Sequence, residues 1–389
     1  KRQKQQDDLM KQFADKMKDN LEKFKSKEKD EMKEDLQKRL ENADKDLEKN
    51  QKLLDELKEL NDKIKNEELL SKLDKFKQNS KNQVKNLQQL VELTKKYYVD
   101  KKAEQIADKL EKLSEKQEQL ADSNKDDSVE KQKDINKEFD KIQEELKELK
   151  KDNNALKTPL DIPDDAAKEK DIDEDLKKAV DELQKKNADK AKPKQKNAAK
   201  NMKSMSKKMT DSLESGEMEQ LDEDVKMLRQ ILDNLLAFSL SQEEVMGQIK
   251  NLKSGSPGFN KKMKWQQDLR LQFKHVDDSL FAMSLRNPKI AEDVTREIGN
   301  IQYNIDKGLE SLADAQIPKG LSHQQYTIAA ANKLGDFLSE ILNGMQMSLS
   351  GMGSGKPKPG QGSGMQLPDI IKKQEGLGEK MKEGMGQGE

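Results

Sequence analysis

Only two imidazoles, His275 and His323, stand in the chain, and cysteine is absent. Without thiols there are no disulfides, thiolate metal sites or sulfur nucleophiles, whatever the compartment. Neither histidine has a second histidine or carboxylate at a ligand spacing such as His-Glu-x-x-His, so neither reads as a metal ligand. Carboxylates are abundant, but a general acid or base must be desolvated beside an opposing group. Here they alternate with lysines on faces that read as solvated. The Gly-rich stretch 351–364 lacks the Gly-Lys-Ser/Thr ending of a phosphate cradle and reads as a linker. The expectation is a chain that is not an enzyme, with no catalytic residue, cofactor or metal.

What remains is chemistry of contact. Tyr97 and Tyr98 are adjacent, so on a helix they point about 100° apart and cannot both fill one narrow seam. One faces a partner, or else the second ring packs along the helix pair with its hydroxyl in water. Met202, Met205 and Met209 form a pliable stripe that suits either docking or ordinary gap-filling. Phe238 and Trp265 complete the partner-binding candidates; Trp265, Phe273 and Phe281 recur about every two turns, as core or as a groove.

The elements that must carry these residues are helices. Charged residues make up 39% of the chain, hydrophobic ones 32% and aromatic ones 4%, too few apolar groups for one large spherical core. From Lys1 to Leu156 there is neither glycine nor proline, and apolar residues return every three or four positions. One seam runs Leu36, Leu40, Ala43, Leu47, Asn50, Leu54, Leu57, Asn61, Ile64, where the two asparagines either fix alignment or leave a wet, weak seam. A bend near Asn66 is consistent with a cap there. The next seam runs Leu73, Phe76, Val84, Leu87, Leu90, Val91, Ile106, Leu110, Leu113, Leu120. After a reversal at 122–128, Ile135, Phe139, Ile142, Leu146, Leu149 and Leu156 return antiparallel.

Thr158-Pro-Leu-Asp-Ile-Pro163 reads as the main hinge. A short helix from about Asp165 to Asn187, a break at Ala191-Lys-Pro193 and the methionine helix follow. From 217 the composition turns apolar and aromatic. Gly255-Ser-Pro-Gly258 reads as a turn, Asn287-Pro288 as N-cap and first position, and Ser322-His-Gln-Gln325 as a capping box after the breaker Ile317-Pro-Lys-Gly320. The expected fold is all-α and elongated: long antiparallel coiled-coil helices (1–157), a hinge with short helices (158–216), a smaller helical bundle (217–350), and a Gly/Met/Gln-rich linker with a short helix (351–389).

Lys+Arg at 75 nearly cancels Asp+Glu at 76. Arginine is confined to Arg2, Arg39, Arg229, Arg270, Arg286 and Arg296, and the two signs are interleaved, which argues against nucleic acid as a partner. No stretch reaches the roughly 20 apolar residues of a bilayer span, the longest candidate being 231–240 with Asp233 and Asn234 inside it. A start at Lys1 and an end inside a low-complexity tract suggest a piece of a longer precursor, in which an anchor could precede this segment.

The runs 86–110 (NLQQLVELTKKYYVDKKAEQIADKL), 235–244 (LLAFSLSQEE) and 325–334 (QYTIAAANKL) resemble an uncharacterised family of large membrane-anchored, coiled-coil envelope proteins of Bacteroidota. The resemblance implies transmembrane helices ahead of this segment, a soluble helical body and a Gln/Gly/Met-rich tail. It supplies no catalytic residues. The expected function is a non-enzymatic scaffold of a periplasmic envelope assembly, anchored to the inner membrane by helices outside this segment. It would bind protein partners and could form a homo-oligomer. The alternatives are a holdase-type periplasmic chaperone gripping clients with helical arms, and a cytoplasmic cytoskeletal coiled coil.

Overall fold

The computed structural model describes residues 11, 12, 15, 18, 30–61, 66–123 and 128–352. Among these the fold is all-α, with no strand and eight helices: α1 (Glu31–Asn61), α2 (Asn66–Asp122), α3 (Ser128–Asn154), α4 (Ala166–Gln184), α5 (Ala188–Ile249), α6 (Pro257–Ser284), α7 (Glu292–Ala313) and α8 (Ile317–Met352). The side chains of Leu54, Leu57, Asn61 and Ile64, most of the expected reversal at 122–128, and the linker and last helix beyond Met352 lie outside the described residues.

Helix ends follow local chemistry, not always at the expected places. Ser256 caps α6 by accepting from Phe259 N–H at 3.2 Å, with Pro257 in the first turn and Gly255 at φ 76°. Asn287 does not cap a helix. Its Oδ1 accepts from Lys289 N–H (3.0 Å), an Asx turn, and α7 starts only at Glu292. Ile317-Pro-Lys-Gly320 is no breaker, because a proline in the first turn sacrifices an N–H that has no intrahelical partner, and α8 begins there. Ser322 is consequently inside α8. The break expected at Pro193 comes earlier, and Pro193 lies within α5.

What ends α4 and α7 is a pair of Schellman motifs built on non-glycine residues. Lys186 (φ 60°) and Ala315 (φ 61°) take the left-handed conformation. Asn187 N–H reaches Glu182 O (2.8 Å) and Lys186 N–H reaches Leu183 O (2.9 Å); Gln316 N–H reaches Ser311 O (2.8 Å) and Ala315 N–H reaches Leu312 O (3.2 Å).

The chain divides into two compact units. One comprises Lys1–Ala14, Glu41–Gln89 and Leu221–Glu389, the other Asp15–Leu40 and Leu90–Gln220, so far as these residues are described. The partition differs from the segments read off composition, since α5 runs unbroken through Gly216-Glu217.

In the second unit α2 and α3 are antiparallel: Lys102 meets Glu148 (3.1 Å), Lys109 meets Glu145 (2.6 Å) and Lys116 meets Glu138 (2.7 Å). Such exposed pairs report register and add little stability. The core beneath them joins Ile106, Leu110, Phe139, Ile142 and Leu146 to Ile172 and Leu176 of α4 and to Met202, Met205 and Met209 of α5. The expected hinge is fastened to this core. Asn153 Nδ2 donates to Leu160 O (2.9 Å), its Oδ1 accepts from Leu160 N–H (2.8 Å), and Leu160 and Ile162 pack on the cluster.

In the first unit Asn50 is buried and donates to Gln83 Oε1 (3.0 Å) and Ser80 Oγ (3.1 Å), while Gln83 donates to Asp46 O (2.7 Å). Gln83 thus takes the seam place expected of Val84, which is 39% exposed, and Leu73 is exposed as well. Residues of α5, α6, α7 and α8 build the larger core, including Leu235, Phe238, Phe273, Leu280, Ile301 and Leu338.

The two cores are copies of one plan. We denote as module A the second half of α2 with α3, α4 and the first half of α5, and as module B the second half of α5 with α6, α7 and α8. Ile106-x-Asp-x-Leu-x-x-x-Ser-x-x-Gln-Glu118 recurs as Ile231-x-Asp-x-Leu-x-x-x-Ser-x-x-Gln-Glu243. On the next helix, and in module B three residues past its end, Gln132, Ile135, Phe139, Ile142, Leu146, Leu149 and Asn153 correspond to Gln266, Leu269, Phe273, Val276, Leu280, Met283 and Asn287, all buried. Ile172 and Leu176 of α4 match Ile301 and Ile305 of α7. Ala191, Gln195, Ala198, Met202, Met205 and Met209 of α5 match Gly320, Gln324, Thr327, Ala331, Leu334 and Leu338 of α8, every one buried. Both modules place the left-handed residue nine positions before the last glutamine, Lys186 before Gln195 and Ala315 before Gln324. One helix, α5, therefore closes one module and opens the other.

Candidate partner-binding surface

Each module is locked inside by three glutamines. Gln117 and Gln132 exchange amide hydrogen bonds (2.9 and 2.7 Å), and Gln195 donates to Gln132 Oε1 (2.8 Å). In module B Gln242 and Gln266 do the same (2.8 and 2.7 Å), and Gln324 donates to Gln266 Oε1 (2.7 Å). All six are buried. An amide that loses its partners in an apolar interior is costly, so each triad penalises any helix register that separates them.

With the interiors alike, the difference lies on the surface. Where module A has Glu115, Lys137 and Asn197, module B has Leu240, Leu271 and Tyr326, which are 45%, 61% and 59% exposed. Where module A has Glu174 and Lys194, module B has Tyr303 and His323. The three rings form an edge-on row along α7 and α8: Tyr303 to His323 6.3 Å between centroids, His323 to Tyr326 6.4 Å, with ring planes at 79° and 66°.

His323 Nδ1 lies 2.9 Å from Asn304 Oδ1, where module A pairs Lys194 with Asp175 at 3.1 Å. An amide oxygen only accepts, so Nδ1 carries the proton. Burial, then the nearby Lys319 and Lys307, hold the imidazole below its usual pKa, and Glu310 opposes them. The row is thus uncharged above its titration, with the exposed Lys319 beside it. An amphipathic row of rings with a cationic edge suits a protein surface that brings carboxylates beside apolar groups.

No protein-family model, no curated protein and no solved structure matches this chain.

Most residues expected at a partner surface serve the interior. Met202, Met205, Met209 and Phe238 are buried, the methionines filling the module A core and Phe238 packing against Phe273 in module B with centroids 5.1 Å apart and planes tilted by 41°. Tyr97 is buried too, its hydroxyl donating to Asp30 Oδ2 (2.8 Å), and burial followed by that carboxylate drives its pKa upward. A docking role through these five is withdrawn, because burial leaves no side-chain surface to offer. Tyr98 is 40% exposed under Lys102, whose ammonium is 5.6 Å from the ring centre. Trp265 packs partly on the core and carries Lys262 at 4.8 Å on its open face.

The row Tyr303, His323, Tyr326 was not reached from sequence, because its rings come from two helices and Tyr303 lies twenty residues from His323. It becomes visible only when α7 and α8 are laid over α4 and α5. Among the described residues no group of three His, Cys, Asp or Glu side chains could hold a metal ion, and no helix is long and apolar enough to cross a membrane. An open groove of about 730 Å³ at the α2 tip, lined by Glu115, Glu118, Gln119, Asp122, Ser123 and Lys203, is polar and shallow. Asp122 there is engaged by Lys192 and Lys196, both at 3.0 Å.

Proposed function

We propose that this chain is a non-enzymatic scaffold of a bacterial envelope assembly, in which each helical module is locked internally and module B carries the protein-binding face. The observation that carries this reading is the replacement, at matching positions of two otherwise parallel modules, of charged and polar residues by Leu240, Leu271, Tyr303, His323 and Tyr326. Aromatic residues concentrate binding energy at interfaces, whereas glutamate and lysine are depleted there. The resemblance of the 86–110, 235–244 and 325–334 runs to membrane-anchored envelope proteins of Bacteroidota supports the compartment. A holdase would need a broad, pliable apolar surface, and the methionine stripe suited to that use lies in a core.

The test uses the duplication as its own control. A photo-crosslinking phenylalanine analogue is placed at Tyr326 or at the matching Asn197 in cells, and the envelope fraction is resolved. One adduct of fixed mass and stoichiometry from position 326, with none from 197, is the expected result. Equal capture from both positions, a smear of many clients, or fractionation of the protein away from the envelope would overturn the reading.

A further inference from the structure

Residues 74–89 of α2 lie against α6 and α7 through polar side chains. Asp74 pairs with Lys307 (2.9 Å), Gln78 donates to Asn300 (3.1 Å), Lys81 to Gln302 (2.7 Å), and Gln89 to Thr295 (3.4 Å). At the centre Lys85 binds both oxygens of the buried Asp277 (2.5 and 2.8 Å), Gln302 donates to the same carboxylate (2.5 Å), and the ammonium stands 5.6 Å over Phe281. These α2 positions recur at helical spacing, so they form one stripe.

Two features mark this stripe as a contact distinct from a core. A cavity of about 10 Å³ remains between Lys85, Gln89, Phe281, Val294 and Ile298, so the apolar groups beneath are incompletely filled. Gly299 provides the close approach: a Cβ there would lie 2.8 Å from the Asn82 side chain. Module A has the exposed Lys170 at the position of Gly299 and Asp171 at that of Asn300.

Polar contacts of this kind are exchanged for water when they open, so their net contribution is small beside the apolar burial that holds α7 to α8. We infer that residues 74–89 are a releasable polar latch over module B, which on opening bares the α6–α7 face around Phe281, Thr295 and Gly299. Opening also parts Lys307 from Asp74 and leaves it paired with Glu310 (3.0 Å) on the helix that carries Tyr303, so the latch adjoins the aromatic row without depending on its role.

The absence of native cysteine permits a clean probe. In the full chain, Thr295→Cys reports the covered face and Thr327→Cys, within the module B core, serves as control; maleimide labelling rates are measured for each. Gly299→Leu, a wedge under Asn82, should accelerate labelling at position 295 about tenfold or more, leave position 327 unchanged, and be reversed by Asn82→Ala. Unchanged labelling at 295, or parallel acceleration at 327, would overturn the latch. Should the wedge prevent folding, the parent T295C chain decides by itself. Its labelling should rise several-fold between about 0.05 and 0.5 M salt, and this rise should vanish when both ion pairs across the latch are removed, in Asp74→Asn/Lys85→Gln/Asp277→Asn. A salt-independent rate in the parent refutes the proposal.

Discussion

Modules A and B bury the same glutamine triad, the same Phe and the same Asn at matching places, yet they treat the two residues at the head of their first helix in opposite ways. Module A begins Val99-Asp100 and module B Asp224-Val225. In B the carboxylate faces the interior fully satisfied: Asp224 accepts from Arg286 (3.0 and 2.7 Å) and from Asn287 (2.9 Å), and Val225 is buried beside it. In A the valine is buried, and Asp100 is raised to about 6 by burial and by Glu104 and Glu217, with Lys101 and Lys96 opposing. One plan therefore holds a buried carboxylate where an arginine and an amide bind it, and raises the pKa of a half-buried one whose neighbours include two further carboxylates.

The comparison breaks most sharply at the triad hubs. Gln132→Leu and Gln266→Leu each strand two buried amides, and each should cost about 3 kcal/mol in urea denaturation. Unequal losses would mean the two locks are not equivalent. Replacing a whole triad by leucines should be far milder, since no amide is then left alone, while hydrogen exchange would reveal loosened register.

Next comes Asp100. Its folded pKa lies above the ordinary value, so the folded chain holds the proton more tightly. Below about pH 4 both states are protonated and nothing is lost; stability falls as pH rises from 4 to 6, and above 6 the full cost of up to about 3 kcal/mol applies. Asp100→Val, the module B solution, should restore that stability at pH 7 and flatten the pH 4–6 slope in thermal melts. A slope that persists would assign the effect elsewhere.

A third contrast concerns the tight crossing between the last two helices of each module. Module A uses Ala179 and Ala191 where module B uses Gly308 and Gly320, and a Cβ on Gly320 would lie 2.5 Å from Leu312. Gly320→Ala should lose about 2 kcal/mol by overpacking, whereas Ala191→Gly should lose only about 1 kcal/mol, through backbone entropy. The smallest effect belongs to the helix ends. Lys186→Gly and Ala315→Gly relieve a left-handed non-glycine residue and should each add about 0.5–1 kcal/mol.

Much of the fold was legible because burial leaves a period. The places read from 3.6-residue spacing at Leu36 to Asn50, Ile106 to Leu120 and Ile135 to Leu156 are buried. Glutamine defeats that reading: it looks like a solvated residue until its partner is known, which hid both triads and put Val84 where Gln83 belongs. Ends formed by Lys186 and Ala315 lacked the glycine that normally announces them, so prolines at 193 and 318 drew the boundaries instead. The partner surface was least legible of all, since methionines and paired aromatics attract attention for the same apolar character that sends them inside. The signal that could have led to it was the recurrence of Ile-x-Asp-x-Leu with Ser and Gln-Glu at 106–118 and 231–243.

The two reciprocal amide pairs close hairpins of unlike span, Gln117 and Gln132 lying 15 residues apart and Gln242 and Gln266 lying 24 apart. The connecting tip therefore gives no instruction about which faces meet; that information sits a few turns down, in the handshake itself. The turn around Gly255 becomes a natural splice point, where a fluorescent reporter or an affinity epitope could be grafted while the helices on either side find their alignment unaided.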